Sequence, residues 1–385
     1  MPKYNILYLH NKSEISGGEQ SLLGLWENLD RGSFFPLLVV PSAGDFSREA
    51  AQLGVKVIVC PFPQLRPWNI FAIGRTLGFL RRIMLQERIH LVHSHTARNN
   101  ILASIIGRWM NVPVIWHERN ILMKGEADIT KMFLFLPHAV ICNSQAVARR
   151  FGELPVKVKV ILNGVDLDKF SPMAANTELK KKYGCEHKRI AGIVTNLTSR
   201  RRVEYFIEAA ALIKAQEPDV SFFVVGGEFE EASKGRLKEL KAKALKLGLQ
   251  GSLFFMGRQD DVRPWMAIFD LSCHVTSQDA CSRSVLEAMG MNCAIVAMND
   301  GGNPELIEND QSGILVAPFD QNAFVNAVLS LLRDDEKRTA LGKAARLRAQ
   351  QYFDVKHNAQ ETQELYFQLI RMSPPNVLIG GPIQN

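Results

Sequence analysis

The densest chemistry in the chain lies in TSQDACSRSVLEAMGMNCAIVAMNDGGNPELIENDQSGILV, residues 276–316. Asp279 stands in a loop after a strand-like apolar run, and Glu287 follows eight residues later inside a helix-like one. Ser282 is placed to cap that helix, leaving free N–H groups for an anion beside Ser284. Glu287 then lies more than a turn in, suited to accept hydrogen bonds from a ribose. Gly301 and Gly302 follow the next apolar run and can form a second anion-binding turn.

A basic loop precedes this region. Asn196 to Arg202 reads NLTSRRR and leads into a helix expected near Arg202. Three arginines at a helix start oppose its dipole. Such a loop either holds an anion such as a diphosphate in guanidinium forks or is a solvated basic turn. Near the N-terminus, Gly17 and Gly18 end the loop after the first apolar run, where backbone N–H groups can approach a phosphate. Glycine pairs are more often plain turns. His93 and His95 close one strand-like run, and His117-Glu118-Arg119-Asn120 closes the next. Strand-terminal histidines can be structural, but three at neighbouring strand ends point to function. No carboxylate is spaced to complete a metal site with them, so no metal is expected.

The elements that position these residues come in two series. Runs at 5–10, 36–40, 55–60, 90–95, 112–117 and 139–144 alternate with helix-like stretches, and runs at 190–196, 220–227, 252–257, 271–277, 293–299 and 313–317 repeat the pattern. Continuous apolar strands alternating with helices predict parallel sheets buried on both faces. The turn-rich NGVDLDKFSP (163–172) separates the series. The expected organisation is an N-terminal domain over 1–170, a second domain over 171–353, a helix over 354–372 able to pack back on the first, and a flexible tail over 373–385. Open parallel sheets bind ligands beyond the carboxyl ends of their strands, which predicts a cleft where the two face.

Bulk properties agree with such a protein. The 385 residues are 46% hydrophobic, enough for two cores. No run of about 18 uncharged apolar residues is present, and the N-terminus lacks signal-peptide architecture, so a cytoplasmic location is expected. The six cysteines include no C-x-x-C pair and read as buried thiols. The net charge of +7 lies wholly in residues 1–170, with 20 basic against 13 acidic residues, while the remainder carries 26 of each. That basic half suits an anionic ligand or an acidic lipid surface, or is a well-solvated face. Within it, GRTLGFLRRIMLQERIH (74–90) reads as a basic amphipathic helix. It suits either a membrane surface at the inner face of the plasma membrane or a core-packed helix with solvated arginines.

Taken together, SGGEQ near the start, NSQAV and ILNGVD before the linker, and VLEAMGMNCAIVAMNDGGNPELI in the second domain resemble glycosyltransferase family 4. The resemblance spans residues 5 to about 370. It implies the GT-B fold, two Rossmann-like domains with parallel sheets facing an interdomain cleft. It also implies a retaining hexosyltransferase-type enzyme that moves a sugar from a nucleoside diphosphate sugar, with UDP the default nucleotide. The implied acceptor is a glycan or lipid-linked molecule of surface polysaccharide or glycolipid synthesis. No cofactor, metal or nucleic-acid partner is implied.

Position by position, the resemblance places Gly17 and Gly18 near the donor diphosphate and acceptor, and His117 by the donor sugar. Asp279 matches the first acidic residue of the family's E-x7-E pair, and Glu287 the second, a ribose ligand. Arg258 follows Gly257 where similar enzymes hold the base, and His95 and Arg119 fall on the acceptor side. The family's usual Gly-Arg-Leu and Lys-Gly are here Thr195-Asn196-Leu197 and Arg201-Arg202. Asn196 therefore replaces an arginine, Arg201 a lysine and Arg202 a glycine, while Asp279 replaces a glutamate. Those departures leave open a non-catalytic relative that partners an active transferase. A nucleotide-sugar epimerase on the same architecture is a further alternative. A nicotinamide enzyme is disfavoured, because no G-x-G-x-x-G fingerprint is present.

Overall fold

A computed structural model describes residues 3–122, 125–153, 157–228 and 233–373; the tail expected from 373 lies, beyond Ser373, outside the described residues. The chain forms two compact units. One comprises Met1–Gly164 with Val355–Asn385, the other Val165–Asp354. The boundary falls six residues earlier than the sequence suggests. The reason is local: the Val165 N–H donates to the Phe353 carbonyl at 2.8 Å, and Val165 bridges to Asp354, so both chain crossings meet at one place.

The first unit is built on a seven-stranded sheet ordered β3-β2-β1-β4-β5-β6-β7. Its strands are β1 (Tyr4–Leu9), β2 (Phe34–Val40), β3 (Lys56–Val59), β4 (Ile89–Ser94), β5 (Val114–Glu118), β6 (Ala139–Cys142) and β7 (Val158–Val160). All neighbours pair in parallel. The three-residue edge strand β7 has no counterpart in the sequence reading, because its KVKVI context alternates charge and valine instead of running apolar. The second unit carries a parallel six-stranded sheet ordered β10-β9-β8-β11-β12-β13. Its strands are β8 (Arg189–Val194), β9 (Val220–Val225), β10 (Leu253–Gly257), β11 (Leu271–His274), β12 (Ala294–Met298) and β13 (Ile314–Val316). In each sheet the order reverses at the first strand, between β1 and β4 and between β8 and β11. These are the topological switch points, where open α/β sheets form ligand crevices.

Leucine, isoleucine, valine and phenylalanine fill both faces of these strands because helices cover both. The first core gathers Tyr8, Trp26, Phe34 and Phe46. The last helix, Val355–Met372, contributes Ala359, Leu365, Tyr366 and Leu369 to it and packs against the helix Gly17–Glu27 and β4. A chain segment almost 200 residues away in sequence thus completes the first unit's core. The second core gathers Phe206, Phe222, Phe324 and Leu331. All six cysteines are buried and none forms a disulfide. No helix among the described residues is long and apolar enough to cross a membrane.

Gly164 lets the returning chain join the first unit: a Cβ there would lie 2.4 Å from the Val355 Cα, a backbone atom with no rotamer to yield. Gly164→Ala is expected to destabilise the first unit by about 1–3 kcal/mol, the usual cost of overpacking. Calorimetry would show one lowered transition, and an unchanged melting curve would refute the account.

Candidate functional site

In the first unit the functional side chains converge at the switch point. β1 delivers His10 just past its end, β4 delivers His93 and His95, and β5 delivers His117. The rings of His93 and His117 stack with centroids 5.2 Å apart, and His95 stands 4.4 Å from His93 and 5.0 Å from His117. Nε2 of His93 lies 3.1 Å from Nδ1 of His117. Nδ1 of His93 lies 2.6 Å from the Tyr366 hydroxyl, which is 3.0 Å from that of Tyr8. Nε2 of His117 and Nε2 of His95 are buried without a protein partner. So are Oγ1 of Thr96 and both side-chain polar atoms of Asn99, just beyond β4.

Burial keeps this cluster uncharged. It pushes His10 down to about 4 against the pull of Glu19, and His93 to about 3 with Arg119 adding to the effect. His95 and His117 also titrate well below 6.5, first from burial and then from neighbouring imidazoles and Arg119. The ligand atoms of His93, His95 and His117 lie within 4.8 Å of one another, close enough to hold a metal ion. Both nitrogens of His93 are already engaged in hydrogen bonds, so a metal would have to displace one of them.

Gly17 and Gly18 form the first turn of the helix Gly17–Glu27. Ser16 caps it: its N–H donates to Glu19 Oε2 at 2.9 Å, while Glu19 Oε1 lies 2.7 Å from His10 Nε2. Glu19 therefore occupies part of the positive helix end that the glycine pair was expected to offer an anion. A Cβ on Gly18 would stand 3.8 Å from Arg119 Cδ, which places the glycine face against that guanidinium. Arg119 Nη1 donates to Asn163 Oδ1 at 3.0 Å. Glu118 anchors the loop after β5, accepting from Asn100 and Thr130 and pairing with Arg150 at 2.7 Å.

The second unit gathers charges instead. After β8 the loop makes a short 3-10 turn, Ser199–Arg201, before the helix Val203–Gln216. Of the three arginines only Arg202 immediately precedes that helix, as its N-cap residue. It adopts φ +52°, a left-handed conformation that costs a non-glycine residue about 1 kcal/mol, which accounts for glycine being usual at this position in similar chains. Its guanidinium lies 4.6 Å from the Phe319 ring centroid, a cation–π contact of about 1 kcal/mol that offsets the strain.

Arg201 and Asp279, singled out separately in the sequence, form one ion pair at 2.6 Å. Arg200 Nη2 donates to the Gln278 carbonyl at 3.1 Å, so the two loops are tied twice. Asn196 Oδ1 accepts from Thr198 Oγ1 at 3.0 Å. Gly301, at φ +60°, passes directly under Asp279: a Cβ there would lie 2.3 Å from the Asp279 carbonyl, which accepts from the Gly302 N–H at 2.8 Å. The glycine pair thus seats the acidic loop.

The helix Arg283–Gly290 places Glu287 at the edge of its buried face, only slightly exposed and 3.1 Å from Arg283 Nη2. Burial raises its pKa above the ordinary carboxylate value against the opposing charge of Arg283. Ser282 occupies the N-cap position, but its hydroxyl does not cap as expected. It turns to the Ser284 hydroxyl at 3.3 Å, and Ser284 in turn reaches His274 Nδ1 at 3.3 Å. The helix N–H groups are left to other acceptors. Arg258, after Gly257, is over half exposed, with Asp260 3.6 Å away.

His10 and His274 were not singled out from sequence, although each sits at a switch-point strand end, a position that signals ligand groups. Tyr366 carries no such signal, since it lies mid-helix and far along the chain.

Comparisons with known proteins fit this geometry. A family model for "Glycosyltransferase Family 4" matches residues 15–169, and one for "Glycosyl transferases group 1" matches residues 175–348. An Escherichia coli UDP-Gal:alpha-D-GlcNAc-diphosphoundecaprenol alpha-1,3-galactosyltransferase is 24% identical over 77% of this chain and 80% of its own length. The N-acetyl-alpha-D-glucosaminyl L-malate synthase of Bacillus anthracis is 26% identical over 76% of this chain and 78% of its own. Among solved structures, Anabaena HepE in complex with UDP superposes with a TM-score of 0.84 at 23% identity, covering 94% of this chain and all of that one.

The uncharged histidines imply a pH limit on folding. Unfolded imidazoles titrate near 6.5, but His10 and His274 do so at about 4 in the fold, and His93 at about 3. Between those values the unfolded chain binds more protons, so stability is complete above 6.5 and is lost as pH falls toward 4. Melting curves are expected to drop through this window, most steeply for the first unit, which holds His10, His93, His95 and His117. A melting temperature constant from pH 7 to 5 would contradict the burial argument.

Proposed function

From the premise that this chain belongs to glycosyltransferase family 4, we propose that it moves a hexosyl residue from a UDP-sugar to a glycan or lipid-linked acceptor with retention of configuration. The observation that carries the reading is the Arg201–Asp279 pair, flanked by Arg200 and Arg202, at the switch point of the second sheet. As the sugar departs as an oxocarbenium-like species, negative charge builds on the diphosphate. Fixed guanidinium groups and helix N–H groups stabilise that charge without reorganising. With cations doing this work, the mechanism is metal-independent. Asp279, released from Arg201 by the incoming diphosphate, is then free to bind sugar hydroxyls, and Glu287 accepts from the ribose. Solved complexes of HepE with UDP and with UDP-glucose support the choice of nucleotide.

In the first unit, neutral His117 suits orienting an oxygen better than removing a proton. His95 and Arg119 form the acceptor side, and Gly17 and Gly18 approach the donor diphosphate and the acceptor. A nearby surface suits a lipid-linked acceptor on an anionic membrane, at the inner face of the plasma membrane. Residues 50–117 hold eight lysines and arginines against one acid, Glu87. The helix Ile70–Gln86 turns Leu80, Ile83 and Met84 into the core and leaves Arg75, Phe79 and Arg82 exposed. Trp68, Phe71 and Trp109 are 71%, 84% and 56% exposed, and Arg81 lies 5.5 Å from the Trp109 ring. Aromatic wedges among arginines match an interfacial anchor. The non-catalytic alternative keeps its footing in Asn196 and Arg202, whereas an epimerase would act without any acceptor.

Titration with UDP, GDP and ADP is expected to raise the melting temperature for UDP selectively, with the rise lost in Glu287→Ala. Arg201→Ala should lower sugar transfer at least tenfold. Binding of UDP without transfer or donor hydrolysis would favour the non-catalytic reading, and no shift with any nucleotide would sink the donor site.

Sedimentation with vesicles is expected to show binding to anionic but not to zwitterionic lipid, weakened by salt and by charge reversal of Arg75 and Arg82. Equal recovery in the supernatant for both vesicles would remove the membrane contact.

A further inference from the structure

We propose that Tyr366 is a positioning residue that decides which nitrogen of His117 carries the proton, acting through the chain Tyr8–Tyr366–His93–His117 so that His117 presents Nε2–H as a hydrogen-bond donor. The use of that donor rests on the transferase reading above; the chain itself does not.

The chain has three links, at 3.0, 2.6 and 3.1 Å, all within the first unit and all buried. A neutral imidazole has one N–H and one acceptor nitrogen, so each link fixes the next. Two polarities satisfy every link. In one, Tyr366 donates to Nδ1 of His93, whose Nε2–H then donates to Nδ1 of His117, leaving its proton on Nε2. In the other, every donor is reversed and His117 exposes a lone pair on Nε2.

Phenol chemistry selects the first. A phenol is a stronger acid than a neutral imidazole N–H, and therefore the better donor, while an imidazole nitrogen is a better acceptor than a phenol oxygen, so the 2.6 Å link is strongest with Tyr366 donating. Burial raises the Tyr366 pKa well above the usual value, so the phenol stays protonated and available as a donor. The imidazoles stay neutral because burial and the guanidinium of Arg119 both oppose a second proton. The Glu19 carboxylate pairs with His10. The chain ends at Nε2 of His117, which is buried and has no protein partner. A donor left there is matched to an acceptor oxygen, such as a sugar hydroxyl, and is useless as a base.

This gives the last helix a role besides filling the core. Its Leu365 and Leu369 seat it, and Tyr366 between them reaches the strand ends. Arrangements in which a second group fixes a histidine tautomer commonly change function ten- to a hundredfold when that group is removed, as known for metal-bound histidines.

The test is nitrogen NMR of the full chain labelled with 15N-histidine, using long-range proton–nitrogen correlations at pH 7.5, where each tautomer has its own pattern. His93 and His117 are expected as neutral Nε2–H rings. Tyr366→Phe, which keeps the ring and loses the hydroxyl, is expected to leave His93 and His117 averaged between tautomers. It should also lower kcat about tenfold with KM for the donor unchanged. Finding His117 as the Nδ1–H form or as a cation in the native protein overturns the proposal without recourse to any variant. So does an unchanged pattern in Tyr366→Phe. The spectra need no turnover: a chain that shows the expected tautomers yet transfers no sugar refutes the transferase reading alone, and one that transfers sugar with the opposite tautomer refutes this inference alone.

Discussion

A parallel sheet covered by helices on both faces has almost nowhere to put a polar side chain except beyond its strand ends. Both units obey this constraint, and the placement of the histidines, of Arg200–Arg202 and of Asp279 follows from it, while Glu287 and Tyr366 reach these ends from helices. Along β1, β4 and β5 the strand centres are apolar, with Asn5 and His90 confined to the entering ends, and the histidine cluster stands at the carboxyl ends. Along β8 and β11 the same change brings in Asn196, His274 and the loop carrying Asp279. Strand-order reversal then opens a crevice at those ends, because the connections on either side leave in opposite directions.

The two units meet the constraint with different electrostatics. In the first, desolvation outweighs every attraction: even with Glu19 at 2.7 Å, His10 is pushed down to about 4. The result is a neutral hydrogen-bonding surface whose geometry is set by tautomers. In the second, charges are retained by pairing, Arg201 with Asp279 and Arg283 with Glu287. Side chains there keep partial exposure, 33% and 18% for the first pair, which limits the desolvation cost of the ions. Neutral orientation suits hydroxyl groups, and fixed cations suit a departing diphosphate, so the division matches the division of labour proposed for acceptor and donor.

Local backbone strain is placed with the same logic. Arg202 and Gln278, both in left-handed conformations, flank the Arg201–Asp279 pair, and each is held from outside. Phe319 supports the Arg202 guanidinium, while Gln278 is fixed by its N–H donating to Asp300 at 3.0 Å and its carbonyl accepting from Arg200. Positions of this kind persist only where the surroundings over-determine them.

Much of this was legible in the chain itself. Alternating apolar runs located twelve of the thirteen strands, since a strand buried on both faces must be apolar throughout; β7, at an edge, has no such requirement. Strand-end position and residue type marked His95, His117, Asp279 and the glycine pairs, helix position marked Glu287, and the family resemblance added Arg258. What the sequence could not encode in any local pattern was partnership. Arg201 and Asp279 lie 78 residues apart, Tyr366 and His93 273 residues apart, and hydrogen bonds have no sequence period. Residue types and their spacing determined the two sheets and the chemistry gathered at their ends. Tertiary folding alone decided which cation faces which carboxylate, that the Ser282 hydroxyl leaves its helix N–H groups uncapped for the Ser284–His274 link, and that the last helix brings a phenol to the histidines, because those choices depend on where distant elements pack.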